Sequence, residues 1–187
     1  MLLNGVRRSV IASTRSGGKE EMEQGMALSL RESVHLVSDP ENLDASVDEV
    51  FRLMLGVECV RSSVVETDGE PESVTAVVGF GGLLSGACVF RCGALAAMKV
   101  AAHMTGMNFD EVDDTVKDGV GEICNMLAGA WKGKVPDLAA NCGLSVPAVI
   151  TGRDYKLHVQ APEFQLHHVY RFEDASFAVT IVCDGLQ

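Results

Sequence analysis

One long amphipathic segment, from Thr115 to Lys134, constrains the fold of this chain more than any other feature. Its large apolar residues recur at intervals of four, three, four and four positions, which is the repeat of a single buried helix face. These residues are Val116, Val120, Ile123, Leu127 and Trp131. The sequence therefore predicts one long helix with a continuous face in the core of a globular domain.

The opposite face of this helix carries polar and small residues. At about 100° per residue, Asp118, Glu122, Asn125 and Gly129 fall on one line, each three or four positions from the next. A carboxylate and a carboxamide are thus presented one turn apart on a rigid element. Each interior glycine costs a helix about 1 kcal/mol relative to alanine, so the glycines at positions 119, 121 and 129 need a reason. We interpret them as space for another surface that approaches Glu122 and Asn125.

The first half of the chain predicts a helix followed by three strands. Asp39-Pro40 is a helix-start signal, and the apolar residues after it keep helical spacing up to Gly56. Those residues are Leu43, Val47, Val50, Phe51 and Met54. Strand patterns follow at 57–67, 73–80 and 83–91. Because Asp68-Gly69 and Gly81-Gly82 separate them, we expect three antiparallel neighbours. A short edge strand at 35–37 is also expected.

The second half repeats this order. Predicted helices at 93–106 and 110–135 precede strand patterns at 144–152, 155–160, 166–173 and 176–184. Phe177, Val179 and Ile181 alternate with less apolar residues, which is typical of a strand with one drier face. The predicted class is therefore α+β, with pseudo-duplicated helix-plus-three-strand units and the long helices on one face of a mainly antiparallel sheet.

Composition limits the kinds of partner. The chain has 187 residues and a formal net charge of −11. Binding to nucleic acid or to an anionic membrane surface needs clustered cations, so both are disfavoured. No apolar run reaches the length that spans a bilayer, and no secretory leader is visible, so we expect a cytoplasmic protein.

The same composition suggests one domain and reduced cysteines. Residues 1–27 are interpreted as a mobile tail or a start assigned too early, and residues 28–187 as a single domain. The six cysteines lack a C-x-x-C pair and are expected to be reduced, buried and structural.

The stretch DGVGEICN resembles the signature of the CheC, CheX and FliY chemotaxis phosphatases, which hydrolyse the aspartyl phosphate of the response regulator CheY. Asp118, Glu122 and Asn125 match its D-x-x-x-E-x-x-N spacing. The number of residues between Asn125 and Pro147 is 21, about one fewer than in the family's pattern. The order of helices and strands resembles the family from Val34 to Cys183, and the resemblance implies a CheC-like fold.

The resemblance also implies roles for these residues. Asn125 is expected to orient the attacking water, and Glu122 to engage the receiver domain of the partner. Asp118, Gly121 and Gly129 are expected to contact that partner. The Mg²⁺ would come with the phosphorylated receiver, so the chain needs no metal or cofactor of its own. A homodimer of the CheX type is implied as well.

The first half carries an incomplete copy of the motif. In the stretch DASVDEVF, Asp44, Asp48 and Phe51 stand where Asp, Glu and Asn would fall. A phenyl ring cannot position water, so we predict a single active site, as in the CheX type. The acidic face of the first helix, which includes Glu41 and Glu49, is interpreted as a solubility feature.

Other interpretations remain open at this point. Glu122 and Asn125 can be merely the solvated face of a helix, and the chain can be a non-catalytic receiver-binding or flagellar-switch-like scaffold of the same fold. Gly79 to Gly82 is read as a turn, because no helix follows it to cradle a phosphate. No metal site is predicted from the histidines at 103, 158, 167 and 168, or from Cys88 and Cys92, because neither set converges.

Overall fold

An antiparallel sheet covered by helices on one face makes up the part of the chain that the structure describes. The structure is a computed structural model that describes residues 37–63, 72–153, 155 and 163–186. The helices are α1 (Pro40–Val50), α2 (Ala94–Thr105), α3 (Asp114–Gly133) and α4 (Pro136–Asn141), and a π-helical turn (Phe51–Leu55) extends α1. The strands are β1 (Val60–Ser62), β2 (Ser73–Gly82), β3 (Leu84–Gly93), β4 (Cys142–Leu144), β5 (Ala148–Gly152), β6 (Phe164–Phe172) and β7 (Ala175–Leu186).

The strand order supports the predicted duplication and corrects one detail of it. The order is β1-β6-β7-β3-β2, and both β4 and β5 pair with the outer side of β2. The predicted β2–β3 hairpin is confirmed, but β1 pairs with β6 and not with β2. The first strand of each half therefore completes the hairpin of the other half. Hairpin signals report only on sequential neighbours, which is why the sequence did not indicate this exchange. The predicted turn at 67–69 lies outside the described residues.

The core lies between the helices and one face of the sheet. All five residues of the predicted α3 stripe are buried. Trp131 packs on Phe80 of β2 with 5.2 Å between ring centroids. Phe51 stacks on Phe177 of β7 at 4.5 Å. The predicted α+β class, with helices on a mainly antiparallel sheet, is confirmed.

The first helix begins as predicted and ends differently. Asp39 caps α1 by accepting a hydrogen bond from the backbone N–H of Glu41 at 3.0 Å, and Pro40 occupies the first turn. Beyond Val50 the chain widens into the π-helical turn, which shifts the buried face by about one residue. Met54 is consequently 43% exposed, whereas Leu55 is buried, so the prediction for Met54 was wrong. Val37 is helical and buried, which corrects the edge strand expected there; residues 35 and 36 lie outside the described part.

The segment after α3 differs most from the sequence pattern. The short helix α4 was not predicted, although Pro136 at its first position is a helix-start signal. The single strand expected at 144–152 is divided into β4 and β5 by Ser145, Val146 and Pro147. The strand expected at 155–160 lies outside the described residues except for Tyr155. The expected tail at 1–27 also lies outside them, so the domain boundary stays a prediction.

The cysteines behave as expected. The structure describes all six, and none of them forms a disulfide; five are buried and Cys59 is half-buried. Burial raises the pKa of the Cys59 thiol to about 12, which keeps it protonated at neutral pH. Among the described residues, no helix is long and apolar enough to span a membrane.

Candidate functional site

The long helix α3 is anchored at both ends. At its start, the Asp113 carboxylate accepts a hydrogen bond from the backbone N–H of Val116 at 2.9 Å. At its end, Lys132 Nζ donates to the carbonyl oxygens of Ala139 and Cys142, at 3.2 and 2.7 Å. These contacts join the last turn of α3 to α4 and β4. Side chains in the middle of α3 therefore project from a backbone that is held at both ends.

The outward face of α3 carries the acid and the amide predicted from the sequence. Asp118 and Glu122 are exposed, and Asn125 and Gly129 are partly exposed. Within the described part of the chain, neither Glu122 nor Asn125 forms a hydrogen bond or an ion pair. A carboxamide without an intramolecular partner keeps its donor and its acceptor available for an incoming molecule. The site predicted on this helix is thus a solvent-accessible acid–amide pair.

The glycines of α3 admit other parts of the same chain. A Cβ at Gly119 would lie 3.5 Å from Ala101 Cβ of α2. A Cβ at Gly121 would lie 3.3 Å from Val149 Cγ2 and 3.4 Å from Pro147 Cβ, which is tighter than ordinary packing. Gly121 therefore has an intramolecular reason to be glycine, which corrects the interpretation that it leaves space for a partner, whereas Gly119 has room for a methyl group. Gly121, predicted as a partner contact, is buried beneath the chain's own residues.

Gly129 behaves differently from Gly121. A Cβ there would meet only Leu144 Cδ1, at 4.0 Å. The residue is partly exposed, and space remains around it. The structure places Asp118, Glu122, Asn125 and Gly129 on one outward face, as the sequence predicts.

Pro147 is brought to the motif by the fold. The sequence places it well beyond Asn125, but in the structure its ring packs beside Gly121, immediately before Glu122. The segment that carries it, between β4 and β5, belongs to the surroundings of the acid–amide pair. Sequence reasoning singled out Pro147 through its spacing and missed Ser145 and Val146, which lay inside an apparently continuous strand pattern.

The corresponding face of α1 is closed. Phe51, at the position equivalent to Asn125, is fully buried. Asp44 Oδ1 accepts a hydrogen bond from the Tyr170 hydroxyl at 2.6 Å and lies 2.8 Å from His168 Nδ1. Arg61 of β1 contacts the other carboxylate oxygen at 3.2 Å. Asp44 therefore ties α1 to the sheet, so the view of this acidic face as a solubility feature was wrong for Asp44.

The pKa shifts of Asp44 and Tyr170 agree with the hydrogen bond between them. Partial burial alone would raise the pKa of the Asp44 carboxyl, but the hydrogen bonds with Tyr170 and His168 outweigh it and lower that pKa below its ordinary value. Burial, reinforced by the Asp44 carboxylate, raises the pKa of the Tyr170 hydroxyl. Both groups thus hold the charge states that their hydrogen bond requires.

The histidines take up separate positions. His103 Nε2 lies 3.0 Å from Glu173, His167 Nδ1 lies 2.8 Å from the Thr180 hydroxyl, and His168 contacts Asp44; His158 is outside the described part. In the described ranges, no group of three or more His, Cys, Asp or Glu side chains is arranged to hold a metal ion. The Gly79–Gly82 stretch, predicted as a turn, instead forms the last four residues of β2, and Gly81 and Gly82 pair with β4.

Comparisons with known proteins agree with this geometry. The family described as "Chemotaxis phosphatase CheX" matches residues 74–169, a range that includes α3 and the segment with Pro147. The CheY-P phosphatase CheX of Thermotoga maritima is 32% identical over 118 residues, which are 62% of this chain and 76% of that protein.

Solved structures show the same fold. The chemotaxis protein CheX from Vibrio vulnificus superposes with a TM-score of 0.64 at 18% identity, over 76% of this chain and 94% of that chain. A chain of the CheX-CheY-BeF₃-Mg²⁺ complex from Borrelia burgdorferi gives a TM-score of 0.62 at 22% identity, over 78% of this chain and 97% of that one. The resemblance first indicated by the α3 motif is confirmed, and this chain belongs to the CheX family of chemotaxis phosphatases.

Proposed function

We propose that this protein hydrolyses the aspartyl phosphate of a CheY-type receiver domain, with Asn125 orienting the attacking water and Glu122 engaging the receiver. The observation that carries the proposal is the exposed acid–amide pair on α3, whose side chains have no partner among the described residues. Two names support the substrate class: the relative from Thermotoga maritima is a CheY-P phosphatase, and the Borrelia burgdorferi complex contains both CheX and CheY.

The reaction requires little of the enzyme beyond the positioning of the attacking water. An aspartyl phosphate is already an activated acyl phosphate, and the transfer of its phosphoryl group to water needs that water in line with the breaking bond. A carboxamide can accept a hydrogen bond from the water and donate one to a phosphoryl oxygen. Asn125 supplies this group from an anchored helix. Mg²⁺ would be held by the receiver, in keeping with the composition of the Borrelia burgdorferi complex.

Glu122 has a complementary task in this proposal. Its exposed carboxylate stands one helical turn before Asn125, so a cation on the receiver that pairs with it would fix the distance between the phosphoryl group and the amide. The protein's net charge of −11 offers no long-range attraction to an acidic phosphorylation site, so close contacts must provide the specificity. Asp118 and Gly129, on the same face, are proposed to lie within this contact.

Only the second half of the molecule is proposed to be active. Phe51 occupies the amide position of α1 and is buried, so that half offers no group to a substrate. The homodimer implied by the resemblance and the cytoplasmic location expected from the sequence remain part of this proposal.

The test is the decay of phosphate on a cognate CheY-type receiver that has been labelled with radioactive phosphate. Wild type should accelerate the decay, and Asn125→Ala should reduce kcat by about 100-fold, because a group that acts on the reacting atoms is removed. Gln165→Ala is the matched control, since Gln165 is an exposed amide on β6, away from α3. Glu122→Gln should weaken receiver binding, whereas Glu163→Gln should not.

Two results would sink the proposal. One is that wild type leaves the decay unchanged with every CheY-type receiver encoded in the same genome, and the other is that Asn125→Ala is as active as wild type. Tight binding of the receiver without any acceleration would instead identify the protein as a scaffold module of the same fold.

A further inference from the structure

The segment between β4 and β5 forms a β-bulge beside the acid–amide pair. β4 pairs Leu144 with Phe80, and β5 pairs Ala148 with Val77, so three residues, 145–147, stand opposite two residues of β2. We call residues Ser145–Pro147 the strap. An extra residue in one strand re-aims the side chains around it, and such bulges are common next to functional sites.

The strap has a fixed conformation. The backbone N–H of Ser145 donates to the Gly79 carbonyl oxygen at 2.9 Å, and the N–H of Gly79 donates to Ser145 Oγ at the same distance. Ser145 Oγ in turn donates to the Val146 carbonyl oxygen at 2.9 Å. Pro147 packs against Gly121 of α3. The strap is therefore hydrogen-bonded to β2 on one side and packed against α3 on the other.

Two contacts fix the path of the strap along α3. Leu144 approaches Gly129, and Pro147 approaches Gly121. Gly121, Asn125 and Gly129 are successive members of one i, i+4 row, about 6 Å apart along the helix axis. The chain from Leu144 to Pro147 covers about 10 Å when extended, which is comparable to the separation of about 12 Å between the two glycines along the helix axis. Asn125 stands midway in that row, so the strap passes beside it.

Val146 is the part of the strap that meets solvent. It is 85% exposed, more than any other large apolar side chain in the described ranges. The flanking residues Leu144–Val149 contain no charged side chain, in a protein with a net charge of −11. An apolar side chain on a fixed backbone loses little conformational entropy when a partner covers it, which suits it to be an anchor in an interface.

We propose that Val146 contacts the receiver domain and sets the affinity of the enzyme for it. The inference rests on the proposed function. A protein that brings a phosphoryl group to Asn125 must also cover the strap beside it, and the exposed valine is then buried in the complex. Val146 does not touch the reacting atoms, so it acts on the Michaelis constant for the receiver and not on the hydrolytic step.

The experiment compares Val146→Asp with Val60→Asp. Both residues are exposed valines in the sheet layer, but Val60 lies on β1 at the opposite edge of the sheet. Burial of a carboxylate against the receiver should raise KM for the phosphorylated receiver about tenfold in Val146→Asp and leave kcat within about twofold. Val60→Asp should match wild type in both constants. Val146→Ala should show a smaller rise in KM.

A direct binding measurement tests the inference independently of catalysis. The dissociation constant is measured with the receiver in BeF₃ and Mg²⁺, by calorimetry, for wild type and both aspartate variants. Weaker binding by Val146→Asp alone supports the inference. If Val146→Asp binds and turns over as wild type does, the inference fails while the proposed function stands. A loss of kcat with unchanged KM also overturns it, because Val146 would then act on the chemical step.

Discussion

α1 and α3 occupy matching places in the two halves of the molecule, and their outward faces differ. Each helix leads the strands of its own half, and the two helices pack against each other over the sheet. On α3 the acid and the amide meet solvent. On α1 the amide position is a buried phenylalanine, and Asp44 is held by Tyr170, His168 and Arg61.

The difference shows how one framework is used in two ways. A polar side chain that is fully hydrogen-bonded within the protein stabilises the fold and has nothing to offer a substrate. A polar side chain on an anchored helix without intramolecular partners contributes little to folding and remains available to bind a partner. The first half of this protein is therefore expected to respond to mutation in its stability, and the second half in its activity.

The largest effect is expected from Phe51→Asn, which restores the missing amide of the first half. Phe51 is fully buried and stacks on Phe177 at 4.5 Å. Loss of the ring leaves a cavity, and the new amide has no solvent. We expect a loss of about 4 kcal/mol or more in the free energy of unfolding, measured by urea denaturation, and no second active site.

Phe51→Leu provides the control, since an aliphatic side chain retains most of the packing. Its loss should be smaller, at about 1–2 kcal/mol. If Phe51→Asn were as stable as wild type or doubled the phosphatase rate, the two halves would be closer in design than the structure indicates.

The sequence alone predicted the features that repeat locally. The α3 stripe, the outward row from Asp118 to Gly129 and the α1 cap follow from helical spacing and local hydrogen bonding, so they were accessible without coordinates. The exchange of β1 to β6 depends on contacts between residues far apart in the chain. No local pattern reports such contacts, and only the strand order reveals them.

The surroundings of the site show the same limit. Gly121 was visible as an unfavourable residue in a helix, but the reason for it, Pro147, is brought there by the bulge. The bulge interrupts an apolar alternation that reads as one strand. Asp44 also looked like an ordinary solvated acid, because its partners on β6 are more than 120 residues away.

The second prediction concerns Asp44, the hydrogen-bonded counterpart of Asp118. Asp44→Ala removes the acceptor of the Tyr170 hydroxyl and leaves His168, which is only 5% exposed, without its carboxylate. We expect a loss of about 1–3 kcal/mol in the free energy of unfolding and unchanged kcat. Asp48→Ala is the control, because Asp48 pairs with Arg52 in solvent and should cost less than about 0.5 kcal/mol. Equal losses in the two variants would contradict the structural role of Asp44.

The third prediction is the acid dependence of the same contact. The pKa of Asp44 is lower in the folded protein than its ordinary value of 3.8. The folded state therefore favours the ionised carboxylate, and this contribution is present above the unfolded-state pKa and lost as the pH falls through the folded-state pKa. Because Asp44 is partly exposed, the contribution should be less than about 1 kcal/mol.

Urea denaturation of wild type and Asp44→Asn between pH 6 and about pH 3 measures it. The stability difference between them should shrink below about pH 4. A difference that stays constant over this range would show that ionisation of Asp44 has no part in the contact.

The smallest effects are expected at two glycines of α3, the helix that carries the acid–amide pair. A methyl group at Gly119 would make an ordinary contact with Ala101, so Gly119→Ala should gain most of the helix propensity of alanine, up to about 1 kcal/mol. A methyl group at Gly121 would press on Pro147 and Val149 at 3.3–3.4 Å, so the same substitution there should gain little or nothing. Because Pro147 belongs to the strap, Gly121→Ala should also lower kcat/KM for the receiver by a few-fold, and Gly119→Ala should not. Thermal denaturation measures the stability of the two variants, and the decay assay measures their kcat/KM. The prediction is wrong if both alanine variants are equally stabilised and keep the wild-type kcat/KM. The contact of Pro147 with α3 would then not determine the position of the strap, and the hydrogen bonds between Ser145 and Gly79 alone would hold it.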